Sequence, residues 1–148
     1  MTVKPTFTIP EDRHYLDEHH MWAKPSSSGS NVVVGIDTLG LESLGDLAYV
    51  SLEKLGTKVR AGDSIGVIEA AKMTGDLVSP LSGTIIKTNT EIVREPSIVN
   101  SDPYDAGWMV EIEPEDWDKD SGTLVSGEAI PAWVSAEIER YREEGWID

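Results

Sequence analysis

The sequence predicts a mainly β protein, a small sandwich or barrel with a short internal helix and a C-terminal helix. Two observations predict this. Short β-branched runs follow one another between Gly- and Pro-containing turns, and no long helix-period segment occurs before residue 130. The polar loop Ser26-Ser27-Ser28-Gly29-Ser30-Asn31 feeds a first strand, Val32-Val33-Val34. Leu39 to Leu44 forms a short helix, with Gly45 as its stop. Leu47 to Leu52 is a strand that follows Gly45-Asp46 and ends in charge and Gly56. Ser64 to Ile68 follows the turn Arg60-Ala61-Gly62-Asp63, and Gly83 to Thr88 follows Ser79-Pro80-Leu81-Ser82. Trp108 to Ile112 is the last strand, and the stretch from Pro114 to Gly122 reads as a charged loop. Pro131 suits the first turn of a helix. Val134, Ile138 and Tyr141 then share one face by i, i+4, i+7 spacing, and Gly145 marks the end.

These elements divide the chain into a body, residues 1–116, and an acidic helical extension, residues 117–148, laid on the body through Trp133 and Ile138. Gly45-Asp46-Leu47 recurs as Gly75-Asp76-Leu77. That echo is either a chance tripeptide or a trace of two similar β halves.

Composition excludes several functions. Twenty-seven acidic against 12 basic residues leave a net charge of -15, which disfavours nucleic acid and anionic membrane surfaces as partners. From residue 111 onward the chain holds 12 acidic and 3 basic residues, so the charge concentrates in the last quarter. There is no cysteine, hence no disulfide, thiolate metal site or Cys nucleophile. Any thiol chemistry must arrive on an attached group. The first twenty residues contain no apolar signal-peptide core and carry Glu11, Asp12, Asp17 and Glu18, and no apolar run approaches a membrane span, so the expected location is cytoplasmic.

Classical catalytic motifs are missing. Gly-x-Ser-x-Gly, a phosphate-binding Walker loop and Gly-x-Gly-x-x-Gly are all absent. Glu111/Glu113 and Glu115/Asp116 have nothing apolar around them to raise a carboxyl pKa, as an acid/base pair requires. His14, His19 and His20 among Asp12, Asp17 and Glu18 form a pattern that suits either a transition metal or a charged strand opening. The five tryptophans suit packing better than a stacking platform.

Lys72 stands apart from the other six lysines. It lies in Val67-Ile68-Glu69-Ala70-Ala71-Lys72-Met73-Thr74-Gly75-Asp76-Leu77-Val78, a tight hairpin with small residues at its centre. Two readings fit: an ordinary exposed lysine in a turn, or a carrier lysine. In the second, the tip projects the side chain away from the body, a neutral amine attacks an activated acyl group, and the resulting amide bears a group on a flexible stem. With no cysteine in the chain, a dithiol carrier would have to be a lipoyl group.

The segment Glu69-Ala70-Ala71-Lys72, with Asp76, Ser79-Pro80 and Ser82-Gly83, resembles the modification hairpin of the lipoyl and biotinyl carriers. The wider chain resembles the glycine cleavage system H proteins. The matching residues run in order over about two-thirds of the chain: Tyr15, His19-His20-Met21-Trp22, Val34-Gly35-Ile36, Leu44-Gly45-Asp46-Leu47, Tyr49-Val50, Gly56-Thr57-Lys58-Val59 and Ala61-Gly62-Asp63. Beyond the hairpin they continue with Asn89, Pro96, Asn100, Asp102-Pro103-Tyr104 and Gly107-Trp108. The resemblance implies a barrel-sandwich hybrid fold and a carrier that is not itself an enzyme. It implies lipoate attached to Lys72, recognition of Glu69 by the attaching enzyme, and Gly75 and Asp76 within the same cofactor-bearing segment. Biotin carriers place the lysine between two methionines, whereas Ala71 and Met73 flank it here.

The chain departs from the H-protein pattern in four places. Met73-Thr74-Gly75 follows the lysine where Ala or Ser is usual. Ile36-Asp37-Thr38-Leu39-Gly40-Leu41 replaces Ile-Thr-Asp-x-Ala-Gln, Glu53 replaces a Pro, and the tail with Trp133, Tyr141 and Trp146 is long. These departures make the chain more similar to the lipoate-binding proteins of the heterodisulfide-reductase-like sulfur-oxidation system. The expected partners are a lipoate-protein ligase or lipoyl transferase, dihydrolipoamide dehydrogenase, and a heterodisulfide-reductase-like complex. The alternative is an H protein carrying the aminomethyl group between glycine decarboxylase and aminomethyltransferase. A biotin carrier and an unmodified scaffold domain complete the set.

Overall fold

The computed structural model describes residues 7–27 and 29–147, so Lys4, Ser28, Asp148 and the first six residues of the segment read for a leader lie outside it. A six-stranded sheet runs β1 (His14–Leu16), β2 (Met21–Pro25), β3 (Val32–Ile36), β9 (Val110–Pro114), β8 (Gly83–Thr88) and β5 (Lys58–Val59), every neighbour antiparallel. A three-stranded sheet sets β6 (Ser64–Ala70) between β4 (Leu47–Leu52) and β7 (Thr74–Val78). Val34, Val50, Ile65, Ile68, Leu77, Ile85 and Ile112 are buried in one cluster shared by the two sheets. Pleating supplies the alternation: Val50 opposite Ile68 points inward, while Tyr49 and Val67 point out.

Among the described residues five α-helices connect or cover the sheets: α1 (Thr38–Leu44), α2 (Thr90–Arg94), α3 (Ser97–Ser101), α4 (Trp117–Ser121) and α5 (Ile130–Glu143). Gly45 ends α1 with φ 83, and its N–H donates to the Leu41 carbonyl. The expected charged loop is corrected at α4, where Asp116 accepts from the Lys119 N–H and caps a single turn. The last strand starts two residues later than Trp108 because Asn89 takes the next carbonyls: its Nδ2 donates to Trp108 O (2.7 Å) and its N–H to Met109 O (2.9 Å). The repeated tripeptides sit in different settings. Gly45-Asp46-Leu47 leads from a helix cap into β4, and Gly75-Asp76-Leu77 lies inside β7.

Gly35 lies opposite Trp22 across the β2–β3 ladder and shows how closely the two strands' residues pack. A Cβ there would stand 2.5 Å from the Trp22 indole, which is buried and donates its Nε1–H to Ile36 O (3.1 Å) and Pro103 O (3.2 Å). Gly35→Ala therefore overpacks this seam and is expected to cost about 1–3 kcal/mol in thermal or urea unfolding.

The segment after residue 116 is tied to the body by a backbone bridge between Tyr15 and Val125 and by α5. Trp133 of α5 packs on Tyr15 and stacks on His20 at 5.0 Å, while Tyr141 packs with Leu39 and Ile147. His20 is buried with φ 56, and its ring is held at both nitrogens, 2.8 Å from Asp37 Oδ2 and 2.8 Å from Glu137 Oε1. Arg140 completes the group with paired bonds of 2.9 Å to the Glu137 carboxylate.

Burial disfavours the charged His20 ring, but the hydrogen bonds and charges of Asp37 and then Glu137 outweigh it and raise its pKa. For Asp37 burial acts the other way and raises its pKa against the pull of His20, so this pair holds its proton more tightly in the folded protein. Burial also pushes Glu137 upward, and the hydrogen bonds from Arg140 and His20 overcome it and lower its value. The signs follow by linkage. The His20 contribution is complete below the ordinary histidine value of 6.5 and is lost as pH rises through the folded value. The Glu137 contribution is present above 4.5 and is lost as pH falls through its folded value. Docking of α5, followed by Trp133 fluorescence, is therefore expected to weaken as pH is raised above neutral. His20→Asn, which tolerates the left-handed backbone, should abolish that dependence and cost about 3 kcal/mol, because the buried Asp37 carboxylate loses its ring partner while Glu137 keeps Arg140.

Candidate functional site

Lys72 sits at the tip of the β6–β7 hairpin. Glu69 and Thr74 close the ladder, and the Ala70 N–H donates to Met73 O at 3.0 Å, leaving Ala71 and Lys72 as the turn. Ala71, Lys72, Met73 and Thr74 are all exposed. The lysine is therefore reachable, but the expectation of a tip projecting away from the body is corrected. The Ala71 N–H donates to Asp46 O (2.9 Å) and the Lys72 N–H to Leu44 O (2.9 Å). The Lys72 Nζ donates to the backbone carbonyl of Glu42 at 2.8 Å. The cause is local: the last turn of α1 and the residues after it carry carbonyls with no partner inside the helix, and the tight turn offers unused donors. Gly45 suits the junction through its backbone, at φ 83, and a Cβ there would make only ordinary contact with the Lys72 Cγ at 3.4 Å.

Among the described residues no carboxylate pairs with the amine. The site is a primary amine on a fixed base, hydrogen-bonded but open to solvent.

The other expected site residues stand nearby without touching it. Glu69 points outward on β6, opposite Tyr49 on one side and Thr74 on the other. Asp76 points outward from β7 opposite Val67 and accepts from the Ser64 hydroxyl at 3.3 Å. Gly75 pairs with inward-facing Ile68, and open space surrounds its missing side chain. Tyr49 and Val67 are 51% and 43% exposed, so the outer face of the small sheet combines two apolar side chains with two carboxylates. Beside the tip, a groove of about 200 Å³ is lined by Met73, Asp76, Ser43, Tyr141 and Trp146.

The three histidines separate. His14 packs edge-on against Trp117, His19 is exposed, and His20 belongs to the α5 network. No group of three or more metal-ligating side chains occurs among the described residues. Sequence reasoning missed the carbonyls of Glu42, Leu44 and Asp46, because main-chain acceptors leave no side-chain signature.

Comparison with known proteins gives this geometry its context. The family model described as glycine cleavage H-protein matches residues 13–137, a span that includes Lys72. The chain belongs to the glycine cleavage H-protein family. Its relatives include the glycine cleavage system H protein of Myxococcus xanthus, 49% identical over 108 residues, covering 73% of this chain and 81% of that one. The H protein of Anaeromyxobacter sp. (strain K) is 41% identical over 129 residues, covering 87% of this chain and 98% of the relative. Among solved structures, the H protein of Mycobacterium marinum superposes with a TM-score of 0.74 at 34% identity, over 86% of this chain and 98% of that one. The mainly β, barrel-sandwich lipoyl-type fold expected from the sequence is therefore shown. H proteins bear lipoate covalently on a lysine and are carriers, not enzymes. Among the described residues no helix is long and apolar enough to cross a membrane.

Proposed function

We propose that this chain is the lipoyl carrier of a glycine cleavage system, with lipoate joined to Lys72. The observation that carries the reading is a solvent-exposed amine, unpaired with any carboxylate among the described residues, at the tip of a rigid hairpin in a chain of this family. The expectation of heterodisulfide-reductase-like sulfur oxidation rested on departures from the H-protein pattern at residues 36–41, at Glu53, at residues 73–75 and in the long tail. The relatives named above are called glycine cleavage proteins, and they favour the alternative reading. The partners are then a lipoate-protein ligase or lipoyl transferase, glycine decarboxylase, aminomethyltransferase and dihydrolipoamide dehydrogenase, all met in the cytoplasm.

The residues present fit the group. When bound, lipoate supplies a dithiolane that takes up the aminomethyl fragment, chemistry that a chain without cysteine cannot perform alone. The protein's own part is presentation. Lys72 contributes the amine, and the three bonds beneath it set where the stem leaves the surface. Glu69, with Tyr49 beside it, offers the attaching enzyme an acidic and apolar foothold. The groove lined by Met73, Tyr141 and Trp146 would hold the arm. The net charge of -15 steers encounter toward basic rims on partner enzymes.

Co-expression with lipoate-attaching enzymes should raise the intact mass by one lipoyl group in the wild type and by none in Lys72→Ala. Glu69→Ala should slow attachment about tenfold, the loss expected for one charge-assisted contact. An unmodified wild-type chain would falsify the carrier reading, and a signal on a streptavidin blot would point to biotin instead. For the pathway, the lipoylated protein with glycine decarboxylase and labelled bicarbonate should support glycine–bicarbonate exchange. Absence of exchange, together with activity toward a heterodisulfide-reductase-like complex, would return the chain to sulfur oxidation.

A further inference from the structure

The matching residues after the hairpin are not used by the carrier function as described. Asn89 is scaffold: it caps α2 and holds Ala106 O and Trp108 O through its Nδ2. Asn100 is different. From α3 its Oδ1 accepts the Leu47 N–H at 2.9 Å and its Nδ2 donates to Gly45 O at 3.1 Å. One side-chain amide thus clamps both neighbours of Asp46. That short strip is where the lysine turn hangs, since the Asp46 and Leu44 carbonyls take the Ala71 and Lys72 N–H groups. The Gly45 N–H also bonds Leu41 O and Leu47 pairs with Ala70, and the Asn100 amide is the side chain that ties the two ends of the strip together. Gly45 lies at φ 83, outside helix and strand geometry, and β4 is irregular between Leu47 and Tyr49.

We propose that Asn100 is a positioning residue for the acylation of Lys72. By clamping Gly45 and Leu47 it fixes the carbonyls under the turn, and so presents the amine to the attaching enzyme in one pose. This rests on the reading of Lys72 as the acylation site. In that step the amine lone pair forms a C–N bond with the carbonyl carbon of an activated ester or anhydride held by the attaching enzyme. The bond to the leaving group breaks, the leaving group departs with its electron pair, the amine loses a proton to solvent, and no redox change occurs. An asparagine is required because the strip offers one donor and one acceptor, and only an amide supplies both counterparts in a fixed plane. Aspartate would lack the donor and set a carboxylate against the Gly45 carbonyl.

The test compares wild type, Asn100→Ala and the nearly isosteric Asn100→Asp as full-length unmodified chains. Initial rates of lipoylation by a lipoate-protein ligase are followed by intact mass over a range of carrier concentrations. Both variants are expected to lower kcat about ten- to a hundredfold, the scale of a small misplacement of a reacting group, with KM close to wild type. In parallel, amide hydrogen exchange should quicken at Ala71 and Lys72 and stay unchanged at Val50 and Ile68, the buried pair of β4 and β6. Wild-type kcat in both variants would overturn the proposal. So would a slower reaction accompanied by equally quickened exchange at Val50 and Ile68, because that marks general loosening. A wild-type chain that never gains the lipoyl mass would instead remove the carrier reading itself.

Discussion

The lysine turn is held by backbone hydrogen bonds to the junction between α1 and β4, and most of what the protein can do depends on that attachment. A two-residue turn has almost no side-chain surface to bury, so packing alone would leave it frayed. Instead its two free N–H groups and the lysine amine find carbonyls that a short helix and the residues after it leave unsatisfied. The hairpin sheet provides height and stiffness, and the helix end provides the anchor.

Both ends of α1 are thereby committed. At its start Asp37 caps the helix by accepting from the Gly40 N–H while its other oxygen meets His20, which in turn meets Glu137 on α5. At its end lie the carbonyls beneath Lys72. A seven-residue helix thus stands between the C-terminal helix and the lysine turn. Tyr141 and Trp146, from the same C-terminal segment, line the groove next to the turn, so the extension is part of the site's surroundings as well as a cover for the sheet.

Much of the architecture was legible because it follows from local rules. Leu47–Leu52 and Gly83–Thr88 form strands over those same residues, and Gly45 stops α1, since β-branched alternation and a left-handed glycine are properties of a few neighbouring residues. The single-turn helix at Trp117–Ser121 was read as a loop because five residues carry no periodicity and only the Asp116 cap marks them. The two-residue strand Lys58–Val59 exists only through pairing with Thr84 and Gly83, a contact with no trace in its own sequence. Departures at residues 36–41, at Glu53, at residues 73–75 and in the long tail drew the pathway reading toward sulfur oxidation, yet those after Lys72 lie in permissive settings. Thr74 is an exposed ladder residue and Gly75 has open space around it, so neither alters how the turn is held.

The amino-acid sequence by itself determined the β hairpin, the lone lysine at its centre, the absence of any intrinsic thiol, and the ordered residues that mark the family. Those features are written in residue types and short spacings. Only the tertiary structure decided that the amine rests on the Glu42 carbonyl, that Asn100 grips the strip beneath it, and that His20 joins two carboxylates rather than its neighbouring histidines. Each of those contacts joins residues 17 to 117 positions apart, and several end on main-chain atoms that are the same in every residue. The folded chain has to bring them together before they carry any meaning.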